Sequence, residues 1–145
     1  MKRNQLHILL LGILGLLIGF LCGIPYGISI TRGWGEDAVR AWRTAHLGLV
    51  LGGILLIAVA GVFHLLILNS KMASACAWSL AISVYATTVG VVIAAVSGAR
   101  GLEPIGPFIN FFVFFANVAG ALGALIGVTL MAVGTIAALR NSSLS

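Results

Sequence analysis

The chain has 145 residues, 61% of them hydrophobic and only 8% charged, with a net charge of +5 and a mean hydropathy of +1.18. A water-soluble domain needs far more polar surface, so lipid is the principal solvent. The basic residues lie at ends and connections rather than in one patch interleaved with aromatics, which excludes a nucleic-acid interface.

Four apolar stretches reach the bilayer-spanning length of about 20 residues: 6–24, 46–68, 73–96 and 108–139. Short polar connections join them, so the expected fold is all-α. It is a single transmembrane domain of four helices in an antiparallel bundle over residues 1–145. The opening MKRNQLHILLLGILGLLIGFLCG has an apolar run longer than a signal-peptide core and no small-x-small cleavage site, so it reads as a retained first helix. Gly15, Gly19, Gly23 and Gly27 form a ridge of small residues four apart, the device that lets helix backbones approach in lipid. Pro25 is expected to kink that helix or end it.

Polar residues 29–44 read as a connection, and the second span opens with AWRTAHLGLVLGG. His46 stands at its watery end, with Trp42 four residues back and Arg43 and Arg40 three and six back. Gly48, Gly52 and Gly53 follow. His64 lies eighteen residues beyond His46, five helical turns, so both are expected to point the same way about 27 Å apart along the axis. The third span offers Ser83, Thr87 and Gly90 as small packing positions, and Tyr85, Thr87 and Thr88 as its hydroxyl group. The two cysteines, Cys22 and Cys76, lie in different spans without metal-ligand spacing and read as small apolar packing residues.

The fourth span, at roughly 30 residues, exceeds what a bilayer requires, so it tilts or projects beyond it. Its first half is aromatic, with Phe108, Phe111, Phe112, Phe114 and Phe115. Asn110 and Asn117, seven apart, share a face. Amides at membrane depth face protein or a cavity, so they either bond between helices or line a pocket, and Asn117 is a candidate cofactor contact. Ala116, Gly120 and Ala124 form one small-residue row, Gly123 and Gly127 the next. Such rows suit contacts within one chain or between chains; a unit this small favours a homo-oligomer. Lys2, Arg3, Lys71 and Arg140 balance Arg32, Arg40, Arg43 and Arg100, so basic-residue counting decides orientation only through the N-terminal pair, which leans to cytoplasmic termini.

The three histidines, His7, His46 and His64, exclude two bis-histidine hemes within one chain. One five-coordinate heme remains open, because a single proximal histidine leaves the opposite iron face free. His46 is its better candidate. Arg40 and Arg43 would meet the propionates, Trp42 would pack on the macrocycle edge, and Gly48, Gly52 and Gly53 would leave room for a flat group. The alternative is an interfacial Trp–Arg–His belt that anchors the helix. Glu36, Asp37 and Glu103 are the only acids, all in or beside connections, so no carboxylate relay crosses the membrane.

The segments AWRTAHLG leading into GGILLIAVA, WSLAISVYATTVG, and GPFINFFVFFANVAGALG resemble the styrene oxide isomerase family, small four-span bacterial membrane proteins. The likeness covers roughly residues 36 to 138, and the Trp42-to-His46 spacing is its most specific part. It implies a bacterial inner-membrane, multi-pass trimer. It also implies one heme b near each subunit interface, held by His46 as metal ligand with Arg40, Trp42 and Arg43 in support. The implied activity is a heme-dependent isomerase converting an epoxide to an aldehyde, with ferric iron as Lewis acid on a small apolar substrate. Where the family places an asparagine and a tyrosine on the third span, this sequence has Thr88 and Val92; a second family asparagine is matched by Gly52. Tyr85 and Thr88 are thus the candidate catalytic hydroxyls. Two other readings stand beside this one: a heme-bound electron carrier or gas-binding protein, and a non-enzymatic accessory subunit of a larger membrane complex.

Overall fold

A computed structural model describes residues 2–143; Met1 and the last two residues of the polar tail lie outside them. The described chain is all-α: α1 (Lys2–Thr31), α2 (Glu36–Val62), α3 (Ser70–Ser97) and α4 (Phe108–Ser142), with a single 3₁₀ turn, Phe63–Leu65, after α2. All four helices are long and apolar enough to cross a membrane, and short connections make successive helices antiparallel. Most of their apolar surface faces outward, to the point that only 17% of the most apolar window of α4 is buried within the chain. That outward face is where lipid belongs.

Helix ends depart from the apolar stretches in an instructive way. α1 continues through Pro25 for six more residues to Thr31 rather than ending there; a bilayer helix tolerates the missing N–H because neighbours re-satisfy the freed backbone. α2 begins at Glu36, so Arg40, Trp42 and Arg43 stand on its first turns instead of in a loop. Glu36 and Asp37 in that first turn complement the positive end of the helix dipole. At its far end α2 stops at Val62 and tightens into the 3₁₀ turn that carries His64. His46 and His64 therefore do not share one continuous helix, and the five-turn alignment expected of them does not hold. α3 is capped by the Asn69 carboxamide, which accepts from Met72 N–H at 2.9 Å, and closes on Gly98 in the left-handed region at φ 73°.

Packing divides the molecule into two close pairs, α1 with α2 and α3 with α4. In the first pair a Cβ on Gly53 would lie 2.7 Å from the Leu16 amide nitrogen and 2.8 Å from the Gly12 carbonyl. One on Gly19 would lie 2.9 Å from Val50 N. In the second pair Gly120 meets the Thr87 hydroxyl, Gly123 lies against Ser79 and Ser83 backbone, and Gly127 receives Leu80. The small-residue rows thus serve contacts within the chain, Gly27 excepted, which faces nothing within 4 Å.

Larger side chains join the pairs: Ile8, Leu56, Val59, Phe63, Cys76 and Leu80 form the main core beside α3. Cys22 and Cys76 are both buried and unpaired, as packing residues should be. Side chains also donate to carbonyls of neighbouring helices, Gln5 to Ala60 at 2.7 Å and Tyr85 to Leu11 at 2.8 Å.

Candidate functional site: a histidine seated on a helix backbone

His46 lies ten residues into α2, about 15 Å from its start, and its ring is turned toward α1. Its Nδ1 is 2.8 Å from the Gly19 carbonyl oxygen. A carbonyl only accepts, so the bond requires a proton on Nδ1, and in the neutral imidazole this leaves the Nε2 lone pair uncommitted. The ring can come this close because Gly23 has no side chain: a Cβ there would sit 3.1 Å from Nδ1 and 3.2 Å from Cε1. Tyr26, one turn further along α1, lies nearly parallel to the imidazole, with centroids 6.0 Å apart and planes 21° off.

Beside the histidine, Trp42 packs on the buried cluster of Cys22, Ala45 and Leu49, where Val91 and Val92 of α3 also meet α2. Arg40 and Arg43 are exposed at the same end of α2. Of the three glycines expected to leave room beside the helix, only Gly48 borders open space. The space at Gly53 is filled by α1 backbone, and that at Gly52 by the Val84 side chain at 3.3 Å. Both glycines serve helix contacts within the chain.

The candidate hydroxyls are engaged. Tyr85 donates to Leu11 O on α1, and buried Thr88 bonds its own helix at Val84 O, 2.6 Å away. The Tyr85 ring instead borders an apolar cleft of about 440 Å³ with Ile82, Ala86, Val89, Phe112, Phe115 and Ala116, open along the outer face of α3 and α4.

The two asparagines, a shared face in sequence, have separate tasks. Asn110 holds the α3–α4 connection by three bonds, accepting from Gly101 N–H at 2.8 Å and donating to Glu103 O and Ile105 O at 2.8 and 2.7 Å. Gly101, at φ 58° with Val113 pressed against it, is where a side chain would not fit. Asn117 reaches the Gly101 carbonyl at a long 3.4 Å, and its Oδ1 lies where a Gly90 Cβ would meet it at 2.8 Å. It therefore sits on the α3–α4 seam. His7 and His64 are exposed.

Tyr26 escaped sequence reasoning altogether. The only signal for it was its spacing from the glycine ridge, since 19, 23 and 26 fall within one narrow stripe of a 3.6-residue helix, and Pro25 obscured that signal.

Among the described residues no three His, Cys, Asp or Glu side chains converge. A metal that brings four equatorial nitrogens of its own needs only one protein donor, and a His46 with Nε2 free is such a donor. These features define a four-span membrane protein with one backbone-anchored histidine, set about 15 Å in from the start of α2 rather than at its watery end. A family model, styrene oxide isomerase, matches residues 4–136, and the chain belongs to that family. None of the curated proteins matches the chain.

Proposed function

We propose that this member of the family binds heme b through His46 Nε2 and isomerises a small apolar epoxide, or a similar oxygenated molecule, to a carbonyl compound. The observation that carries the reading is the 2.8 Å bond from His46 Nδ1 to Gly19 O. Ligating histidines commonly donate their second N–H to a carbonyl or carboxylate, which fixes the tautomer and raises ligand basicity. Ferric heme supplies a Lewis acid for the oxygen of the substrate. The isomerisation is redox-neutral: one ring C–O bond breaks, a hydrogen or aryl group migrates with its electron pair to that carbon, and a C=O forms.

The chain's own part is to hold and to exclude. His46 fixes the group to α2, while exposed Arg40 and Arg43 offer cations to propionates and Trp42 an apolar edge. The amphiphilic surface at this end suits an apolar substrate that partitions from the bilayer. With Tyr85 and Thr88 hydroxyls bonded to backbone, they act through packing, and the Tyr85 ring offers an aromatic wall to the cleft. Outward-facing α4 and the family resemblance favour assembly as a trimer in a bacterial inner membrane.

The first test is an absorption spectrum of the detergent-purified protein, oxidised and then dithionite-reduced. A Soret band with a high-spin five-coordinate ferric pattern is expected, and His46→Ala is expected to abolish it while the protein remains extractable. His64→Ala should leave heme content unchanged, since His64 is exposed on the 3₁₀ turn at the far end. A full Soret band in His46→Ala, or its loss in His64→Ala, overturns the ligand assignment. A heme-free wild type favours the accessory-subunit reading, and ready cycling between oxidation states without isomerase activity favours electron transfer or gas binding.

A further inference from the structure

The stripe of α1 that faces His46 contains three different things in register: a carbonyl at 19, a missing side chain at 23 and an aromatic ring at 26. Those positions differ by four and three residues, so they project within about 60° of one another on the helix. We propose that Gly23 and Tyr26 are positioning residues that, with the Gly19 carbonyl, lock the His46 imidazole in one orientation and in its Nδ1–H tautomer. The inference deepens the heme reading and rests on it for its functional meaning, although its structural test does not need heme.

The glycine acts by absence. A Cβ at 3.1 and 3.2 Å from two ring atoms is tighter than ordinary contact, so the imidazole would have to swing outward. The contact at 2.8 Å to Gly19 O is then the bond that lengthens. The three atoms nearest to that position all belong to the His46 ring, at 3.1, 3.2 and 3.9 Å, so a methyl group there bears first on this ring rather than on the α1–α2 backbone seam. Tyr26 acts by presence. Its near-parallel ring at 6.0 Å restricts rotation of the imidazole about its own Cβ–Cγ bond. Its hydroxyl makes no hydrogen bond among the described residues, so the ring face, not the phenol oxygen, is the working part. The Gly19 carbonyl has a second lone pair beyond the one its own helix uses, which is why it can serve both.

The consequence is a histidine whose unprotonated nitrogen is chosen by a neighbouring backbone before any ligand arrives. A free imidazole exchanges tautomers and rotates, and only part of its population presents Nε2 at the right place. Fixing it removes that loss from the binding equilibrium.

The test uses the full chain in detergent, prepared without added heme, in a His7→Gln/His64→Gln background that leaves His46 as the sole histidine. Ring-¹⁵N NMR then reads its tautomer directly. A single Nδ1–H tautomer is expected. Gly23→Ala should give a mixture or the Nε2–H form, and Tyr26→Leu should broaden or double the ring signals. Tyr26→Phe should behave as wild type, and so should Gly61→Ala at the far end of α2, whose Cβ meets open space. Heme titrated into each sample should bind roughly tenfold or more weakly to Gly23→Ala, as happens when a ligating histidine loses the group that holds its other ring nitrogen.

An Nε2–H wild type overturns the proposal, as do unchanged ring signals in both Gly23→Ala and Tyr26→Leu. A Tyr26→Phe that behaves like Tyr26→Leu also overturns it, because the hydroxyl would then be the working part. A locked tautomer with no heme uptake leaves this inference standing and fails the proposed function. Heme uptake with an unlocked ring does the reverse.

Discussion

The two helix pairs solve the same packing problem with the same residue and end with different chemistry. In the α1–α2 pair, glycines at 12, 19 and 53 bring backbone against backbone, and one polar ring, His46, enters the seam with half its bonding capacity used. In the α3–α4 pair, glycines at 120, 123 and 127 admit Thr87, Ser83 and Leu80, and two of the polar groups near its end, Asn110 and Thr88, are tied to the chain itself. Asn110 spends three bonds on the connection, and Thr88 bonds its own helix. In lipid an unbonded polar atom is costly, so a group with capacity in reserve marks where a ligand is expected. A saturated one marks the frame. The first pair reads as the site and the second as its support.

The sharpest way to break the comparison is at the seams. Gly53→Ala places a methyl group 2.7 and 2.8 Å from α1 backbone, which cannot rotate away. Gly120→Ala first meets the Thr87 hydroxyl, a side chain that can turn, and then Ser83 O at 3.2 Å. Overpacking of this kind costs about 1–3 kcal/mol, and Gly53→Ala should lie at the upper end and Gly120→Ala at the lower. Thermal unfolding in one detergent checks the order. Equal losses would mean that both seams yield alike and that the division into pairs has no energetic counterpart.

At the next level stand the asparagines. Asn110→Ala removes three bonds that hold residues 101–105 and should destabilise by about 1–3 kcal/mol, with protease sensitivity appearing in the α3–α4 connection. Asn117→Ala removes one long bond at 3.4 Å and should cost less. Larger loss at Asn117 would show that its carboxamide holds something other than Gly101. That outcome would extend the candidate site toward α4 and favour Asn117 as a cofactor contact.

Much of this was legible in the sequence. Apolar length gave four helices because a bilayer demands it, and the small-residue rows gave the seams because only glycine, alanine and serine allow such approach. His46 stood out because a ring nitrogen is rare in so apolar a chain. Helix ends were less legible: hydropathy reports where lipid lies, while a helix continues as far as its hydrogen bonds do, which is why α2 starts ten residues before His46. Partners of the seams were hidden too, since Gly52 and Gly53 look like free space until Val84 and Leu16 occupy it. Asn110 could not be assigned because its acceptors depend on the path of a connection, and Tyr26 lay behind a proline that read as a stop.

The smallest expected effect is also the one that best separates support from chemistry. Tyr85 stands at the border of the two pairs, its hydroxyl bonded to Leu11 O on α1 and its ring on the cleft beside Phe112 and Phe115. Tyr85→Phe keeps the ring and deletes one interhelical bond, a change worth roughly 0.6 kcal/mol in membrane proteins. If the hydroxyl is structural, unfolding shifts slightly, heme content holds, and turnover of an aryl epoxide changes less than about threefold, the factor that 0.6 kcal/mol represents. A hydroxyl that leaves Leu11 to steer substrate would give the opposite pattern: near-native stability with turnover down by roughly 10²-fold or more, as when a hydrogen-bond donor to developing charge is lost. Tyr85→Leu completes the argument, because it removes the aromatic wall as well. Weaker substrate binding in Tyr85→Leu than in Tyr85→Phe would assign the cleft to the substrate and leave His46 alone at the chemical end of the site.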